Sequence, residues 1–544
     1  MLLNLALILI SAVFYVVSFP WWSVAIAAFF TLIPLFHVVE KSASIPRAMG
    51  YGALWGMLVS VGMGYWLFPT LMGHFGVSLP KALLFFTVSV TLPVCLIHAG
   101  WAAVYRFVHH PGLAWYALVV PSTWVLTEYL KEVVPFLVPW GGIGYAALPF
   151  YRFVQVADLG GVHGVAWIVV MINAVAWFML RRLFMVNRNA YPDAVRNPAV
   201  LWKTFCPAMA VLFLAVGLPV VYGAARINDI NREINQEMNR EVRQEINEKI
   251  KGKSGGERSV QAVLVQGNFD LHDSWSGMGF YRRLQTYLEM SDPAKQDSRG
   301  GEAYPDRARV VVWPETMLNE PAHLDKALFE RIMAVMGQET LLVSGGLGRD
   351  ESTGHQTNCA YLVSGQGVVM RYDKHILLPY AETSNMFDWL GQYYTAPTEF
   401  VAGRIPPRVD TPHGRAGVSI CVEILYPGYV ARSVHSGATF LVNISNDAWF
   451  GDSPMPRMHL DAARMRAIEN RRFLLRSANS GISALITPLG DIAARTDLFE
   501  RAAISGDFYH MHMASPFTRH GNWVVFFSAG ALGLALLRIV FIKP

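Results

Sequence analysis

Val418-Ser419-Ile420-Cys421-Val422-Glu423 reads as a short buried strand that delivers a thiol, and then a carboxyl, at its exit. Two other stretches repeat the design. Val310-Val311-Val312-Trp313-Pro314-Glu315-Thr316 runs an apolar strand into a proline and a glutamate, and Val368-Val369-Met370 leads into Arg371-Tyr372-Asp373-Lys374. Short β-branched runs closed by polar or turn-forming residues are the pattern of strands covered on both faces. Working outward, strands are expected at 260–265, 310–313, 340–344, 360–363, 368–372, 417–422, 439–444, 474–478 and 482–486, with helices at 279–290, 324–336 and 458–471. This alternation predicts an α/β domain whose sheets lie beneath helices, with reactive groups where strands end.

Taken singly, these residues have plainer readings. A glutamate or lysine after a strand is ordinarily a solvated loop residue, and a buried cysteine is ordinarily a small hydrophobe. Their combination carries the chemistry. A thiol of pKa about 8.5 is only a few per cent thiolate at neutral pH, so a nucleophilic cysteine needs a base or a cation beside it. Glu315 and Lys374 supply both, and Lys374 with a backbone N–H would stabilise the oxyanion formed on addition to a carbonyl.

Beyond this domain the composition changes. Of 544 residues, 53% are hydrophobic and 16% charged, against about 25% charged in an average soluble protein. The first 226 residues hold 12 Lys and Arg against 5 Asp and Glu, and the other 318 hold 33 against 35. An apolar half of net charge +7 is joined to a balanced half of −2. Hydrophobicity excludes disorder, and a nucleic-acid partner is disfavoured because the positive excess sits within the apolar half.

Crossing a hydrocarbon core takes roughly 20 apolar residues. Seven such runs precede Arg226, at 2–19, 22–39, 49–72, 82–105, 113–130, 161–180 and 205–225, and an eighth lies at 523–542. The first lacks a basic leader and a cleavage pattern and is read as a retained helix. With the N-terminus inside, the inner loops carry eight Lys and Arg against three in the outer loops, which places the balanced domain outside the membrane. Glu128 is expected at the membrane interface, with ordering of a polar loop as the alternative. The loop Pro139-Trp140-Gly141-Gly142-Ile143-Gly144-Tyr145 lacks the elements of a phosphate cradle. From Ile230 to Ile250 an apolar residue recurs every fourth position in a charged background, so the stripe spirals around a helix. This linker reads as a solvated spacer, or else as a helix wrapping a partner or lying on the membrane surface. The expected division is 1–226, a seven-span membrane domain; 227–258, a charged linker; 259–515, an extracytoplasmic catalytic domain; and 516–544, the last span.

Four cysteines, Cys95, Cys206, Cys359 and Cys421, make no disulfide framework, although the sequence permits a Cys359–Cys421 bridge. His510 and His512 form an i, i+2 pair without further ligands, and no metal is expected.

The Glu315, Lys374, Cys421 order resembles the nitrilase superfamily. The words Val265-Gln266-Gly267-Asn268, Trp313-Pro314-Glu315-Thr316 and Ser445-Asn446-Asp447-Ala448-Trp449-Phe450-Gly451-Asp452, with Arg472-Phe473-Leu474-Leu475-Arg476-Ser477-Ala478-Asn479-Ser480-Gly481-Ile482, resemble the apolipoprotein N-acyltransferase family in particular. That resemblance spans nearly the whole chain. It implies an αββα nitrilase-like sandwich outside a bacterial inner membrane, held by seven spans before it and one after. It further implies a ping-pong transfer of an acyl chain from a phospholipid, through a Cys421 thioester, to the N-terminal amine of a diacylglyceryl apolipoprotein. Glu315 matches the general base, Lys374 the oxyanion-stabilising lysine and Cys421 the nucleophile. Glu382 and Glu423 match supporting acids, and Trp275 and Trp449 match tryptophans near substrate entry. The apolar loop 386–390 is suited to excluding water from the thioester, or to dipping into the interface as an anchor. No cofactor is implied, and a monomer is expected. Three features depart from the family pattern: Val422 replaces a tyrosine after the nucleophile, His375 directly follows the lysine with Ala381 before Glu382, and the linker is long. Two other readings stay open: a membrane-tethered nitrilase-like amidase or hydrolase, and a non-catalytic lipoprotein-binding scaffold.

Overall fold

A computed structural model of the chain describes residues 1–74, 76–187, 198–251, 260–270, 278–292, 308–321, 326–379, 381–383, 400–404 and 408–542. The chain forms two compact units. One comprises Met1–Phe68, Ser78–Arg226 and Asn522–Pro544, and the other Pro69–Val77 and Ile227–Gly521.

The second unit contains two six-stranded sheets. The first is built from β1 (Val260–Gln266), β2 (Arg309–Pro321), β3 (Thr340–Arg349), β4 (Gln356–Ser364) and β5 (Gly367–Asp373). The second uses β6 (Arg408–Thr411), β7 (Gly414–Ile420), β8 (Phe440–Ser445), β9 (Leu474–Ala478), β10 (Ala484–Ile486) and β11 (Ile492–Arg495), and β12 (Ala502–Phe508) returns to the first. The strand orders are β12-β1-β2-β3-β4-β5 and β11-β10-β9-β8-β7-β6. Each sheet has three parallel strands, β1, β2, β3 and β7, β8, β9, extended by antiparallel neighbours.

The two sheets face each other through β1 and β2 against β8 and β9, where Ser477 Oγ donates to Val265 O at 2.8 Å. Helices Met278–Ser291 and Lys326–Met336 cover the first sheet, their Leu284, Tyr287, Phe329 and Ile332 packing on Val263, Val311, Trp313 and Leu342. Helices Pro427–His435 and Met455–Asn470 cover the second. The central strands are mainly apolar because both of their faces are buried, with Asn443 of β8 and Arg476 of β9 as buried polar exceptions.

All nine expected strands are present. The expected strand 417–422 stops at Ile420, and Cys421 opens a 3-10 turn, Cys421–Leu425, instead of ending the strand. β6, β11 and β12 were not expected. All three lie at or next to sheet edges, and the alternating exposure of β11 and β12 leaves no continuous apolar run to read.

Among the described residues, four helices are long and apolar enough to cross a membrane: Leu79–Phe107, Ala157–Leu183, Phe205–Arg240 and Trp523–Phe541. The pair Ile45–Gly64 and Leu67–Gly73, bent by 58°, makes a fifth if taken as one span. Leu2–Val17 and Ala25–Glu40 are apolar but shorter. Glu128 is buried, and its Oε1 accepts Trp124 Nε1–H at 3.0 Å and the backbone N–H of Ile143 at 2.8 Å. Tyr15 donates to Gly141 O at 2.6 Å. Glu128 thus orders the glycine-rich loop from within, as the alternative reading had it. A second buried carboxylate, Glu40, accepts hydrogen bonds from Tyr116 at 2.8 Å and Trp177 Nε1 at 2.8 Å, and pairs with Arg181 at 2.6 Å. Burying a carboxylate without such partners would cost several kcal/mol.

As far as Lys251 the linker is part of one helix, Pro198–Lys251. Within the second unit Ile230 is fully buried, and Glu233 Oε1 accepts the backbone N–H of Met513 at 3.2 Å. The start of the linker is thus docked, not solvated.

Candidate active site

Each reactive group sits at a local departure from regular strand geometry. Between Trp313 and Leu318 the register of β2 against β3 shifts, and Thr316 takes a φ of 56°. Such a bulge re-aims side chains at the end of a strand, and Glu315 lies within it. The opposing residue has to be glycine. A Cβ on Gly345 would lie 2.4 Å from Glu315 Cα and 2.5 Å from Pro314 O, both backbone atoms that cannot move aside locally. Gly345→Ala should therefore displace Glu315 and lower turnover about 100-fold, read as the acyl-transfer rate beside a melting curve that shows a folded chain.

Lys374 directly follows β5 and is 1% exposed. Its backbone is held on both sides: its N–H donates to Asn358 O at 2.8 Å, and its carbonyl accepts from Gly403 N at 2.8 Å. Its Nζ reaches Glu315 Oε1 at 3.2 Å and Glu382 Oε2 at 2.9 Å. Asn358 Nδ2 donates to Glu315 Oε1 and to Glu382 Oε1, each at 2.7 Å. Glu315 Oε2 accepts the backbone N–H of Asn446 at 2.9 Å, and Glu382 Oε2 that of Leu378 at 2.7 Å.

Cys421 is buried and has a φ of 51°, in the left-handed region that non-glycine residues avoid. Strain of this kind persists only where its surroundings hold it. Glu423 is one of those holds. It is fully buried, and its carboxylate accepts the backbone N–H groups of Ile420 at 2.8 Å, His375 at 2.7 Å and Ile376 at 3.1 Å, as well as Tyr372 OH at 2.9 Å. Tyr372 in turn hydrogen-bonds Tyr429. One carboxylate thus ties the loop after Lys374 to the end of the strand before Cys421.

The charges at the site follow from this packing. Burial opposes the charge on Lys374, but Glu315 and Glu382 hold its pKa well above the usual amine value. Burial, aided by Glu315, pushes the Cys421 thiol up against the pull of Lys374. The resting site therefore combines an ammonium and a thiol, and the thiol loses its proton only as it attacks. Burial also raises Glu423 to about 7 from 4.5, against the backbone N–H groups that favour its charged form.

The folded state accordingly binds the Glu423 proton more tightly than the unfolded chain does. Its contribution to stability is fully present below pH 4.5 and is lost as the pH rises through 7, on the order of 3 kcal/mol in all. Glutamine cannot titrate. The gap in melting temperature between the native chain and Glu423→Gln should shrink from pH 4.5 to 7.5, and a constant gap would refute this.

The sequence-selected residues Glu315, Lys374 and Glu382 are in direct contact, and Cys421 lies within electrostatic reach of all three. Glu423 stands one layer behind. Trp449 is part-exposed, and its carbonyl accepts from Thr70 Oγ1 at 2.7 Å, both residues lying in the second unit. Val422, where a tyrosine was expected from the resemblance, is buried. Trp275 and the loop 386–390 lie outside the described residues. All four cysteines are free, which excludes the Cys359–Cys421 bridge. Sequence reading missed Asn358, Tyr372 and Tyr429. Asn358 opens the apolar run of β4, and a polar residue leading into a fully buried strand was the available signal.

Two facing sheets with outer helices, and a Glu, a Lys and a Cys gathered at strand ends, define a protein of the carbon–nitrogen hydrolase class. A family model described as carbon-nitrogen hydrolase matches residues 265–508, and one described as apolipoprotein N-acyltransferase N-terminal domain matches residues 11–175. The chain belongs to the apolipoprotein N-acyltransferase family. It is similar to the apolipoprotein N-acyltransferase of Geobacter metallireducens, at 26% identity over 97% of this chain and 93% of that protein. It is also similar to that of Rhizobium leguminosarum bv. trifolii, at 28% identity over 93% and 90%. Among solved structures, Saccharomyces cerevisiae Nit3, a member of branch 10 of the nitrilase superfamily, aligns with 47% of this chain and 93% of its own at 16% identity and a TM-score of 0.35.

Proposed function

We propose that this enzyme transfers a fatty acyl chain from a phospholipid to the N-terminal amine of a diacylglyceryl apolipoprotein, by a ping-pong route through a thioester on Cys421. The observation that carries this reading is the buried Glu315–Lys374 pair beside Cys421 in a chain that also carries long apolar helices.

Glu315 takes the thiol proton as Sγ attacks the ester carbonyl, and Lys374 stabilises the oxyanion. The C–O bond then breaks, and the departing lysophospholipid oxygen takes the proton from Glu315. In the second half the lipoprotein amine attacks the thioester, Glu315 accepts an amine proton, the C–S bond breaks and the proton returns to sulfur. Glu382 and Asn358 orient the base and the lysine, and Glu423 holds the lysine loop. The resemblance assigns Trp275 and Trp449 to substrate binding, and the exposed Trp449 is open to a substrate. No cofactor takes part, and the enzyme works as a monomer.

Both substrates are lipids. Each methylene drawn into water costs about 0.8 kcal/mol, so the site has to be brought to the bilayer. Seven spans before the catalytic domain and one after it, dividing the chain at 1–226, 227–258, 259–515 and 516–544, would do this. The excess of Lys and Arg in one set of loops supports the periplasmic face of a bacterial inner membrane as the domain's location.

The test is to incubate the purified full chain with phospholipid labelled in its acyl chain. Label retained on the Cys421 peptide, sensitive to hydroxylamine and discharged by a diacylglyceryl lipopeptide, supports acyl transfer. Release of free fatty acid without transfer makes the chain a hydrolase. No adduct makes it a binding scaffold, and either outcome overturns the proposal.

A further inference from the structure

Beneath the nucleophile lies a polar cluster that the mechanism above does not use. Asp447, His459 and Arg476 come from the turn after β8, from helix Met455–Asn470 and from β9, and all three are essentially unexposed. His459 Nε2 is 3.1 Å from the carbonyl oxygen of Cys421. Its Nδ1 is 2.9 Å from Asp447 Oδ1 and 3.1 Å from Arg476 Nη2. Arg476 Nη2 also donates to Asp447 Oδ2 at 2.6 Å, and Ser445 Oγ to Asp447 Oδ1 at 2.6 Å.

The proton on Nε2 follows from chemistry. A carbonyl oxygen only accepts, so Nε2 must carry hydrogen. On the other side, Nδ1 either donates to Asp447 or accepts from Arg476. Both states leave Nε2–H aimed at Cys421 O, so the donor is in place whatever the charge on the ring. Burial favours the protonated form of Asp447, but Arg476 and His459 outweigh it and hold the carboxylate charged.

Among the described residues no peptide bond is cis. In a trans peptide the N–H points opposite to the C=O of the same unit. Fixing the carbonyl of Cys421 therefore fixes the direction of the Val422 N–H, the backbone donor next to the reactive sulfur.

We infer that His459, seated by Asp447 and Arg476, is a positioning residue that locks the Cys421–Val422 peptide and so aims the Val422 N–H at the oxyanion. The inference rests on Cys421 being the nucleophile. It accounts for a histidine buried under a strained residue, and for why Asp447 lies in the word that closes β8.

The test separates addition to a carbonyl, which needs the oxyanion donor, from displacement at saturated carbon, which does not. Full-length protein is treated with p-nitrophenyl palmitate or with iodoacetamide, and modification of the Cys421 peptide is followed by mass spectrometry. His459→Met fills the space without a donor, and His459→Gln restores one. Expected for His459→Met is a loss of about 100-fold in acylation, with alkylation within about three-fold of the native chain and a similar melting temperature. His459→Gln should recover most of the acylation rate. The inference is overturned if acylation and alkylation fall together, if His459→Met acylates normally, if His459→Gln is as poor as His459→Met, or if neither variant folds. Wild-type protein that takes palmitate from the activated ester but never from phospholipid would refute the proposed function and leave this inference standing. Failure to acylate Cys421 with either donor overturns both.

Discussion

Cys421→Ser is expected to lower acyl transfer by at least about 10⁴-fold while leaving the fold intact. Loss of a nucleophile in other acyl-transfer enzymes costs up to about 10⁶. The substitution exchanges one atom in a buried site, so packing barely changes. The chemistry changes far more. Burial and Glu315 already push the thiol up, and an alcohol, many orders of magnitude less acidic, is further still from being deprotonated by the same carboxylate. Lys374 and the backbone donors would remain, so the variant should bind lipid and fail at the first step. Phospholipid label should disappear from the 421 peptide. Persistent turnover, or label that survives elsewhere on the chain, would remove Cys421 from its role.

Lys374→Met should follow at about 10³-fold, for two separable reasons. The first is loss of oxyanion stabilisation, worth about 10² to 10³ for one donor. The second is electrostatic. Glu315 and Glu382 share the ammonium at 3.2 and 2.9 Å, and removing it leaves two carboxylates facing each other in a buried site. One of them then retains a proton, and whichever does so, Glu315 is a poorer base. Breaking a buried ion pair also destabilises, typically by about 3–5 kcal/mol. A lower melting temperature should therefore accompany the lost rate. Lys374→Met protein with full thioester formation would show that the backbone donors alone carry the oxyanion. In that case Lys374 would be a structural counter-charge.

Much of the catalytic domain was legible because its central strands are buried on both faces. Val310 to Trp313 is apolar without interruption, and in Val418-Ser419-Ile420 only a small serine separates two buried β-branched residues; such runs report burial directly. The edges were not legible: β11 and β12 alternate in exposure, and β6 is four residues long. In the membrane unit, hydropathy marked every apolar stretch but not how each is divided. Residues 22–39 read as one run, yet a 3-10 turn at Ala25–Phe29 precedes the helix Ile33–Glu40.

By itself the sequence determined which residues are reactive and the class of layered fold that holds them, because apolar periodicity and the chemistry of Glu, Lys and Cys are local properties. Only the tertiary structure decided what surrounds them. Asn358, which joins Glu315 to Glu382, and His459, 38 residues beyond Cys421, have the same composition as any solvated polar residue. Their burial is set by strands and helices distant in the chain. The left-handed backbone of Cys421 likewise sits between contacts made by distant or folded-back groups, Glu423 on the N–H of Ile420 and His459 on the carbonyl of Cys421.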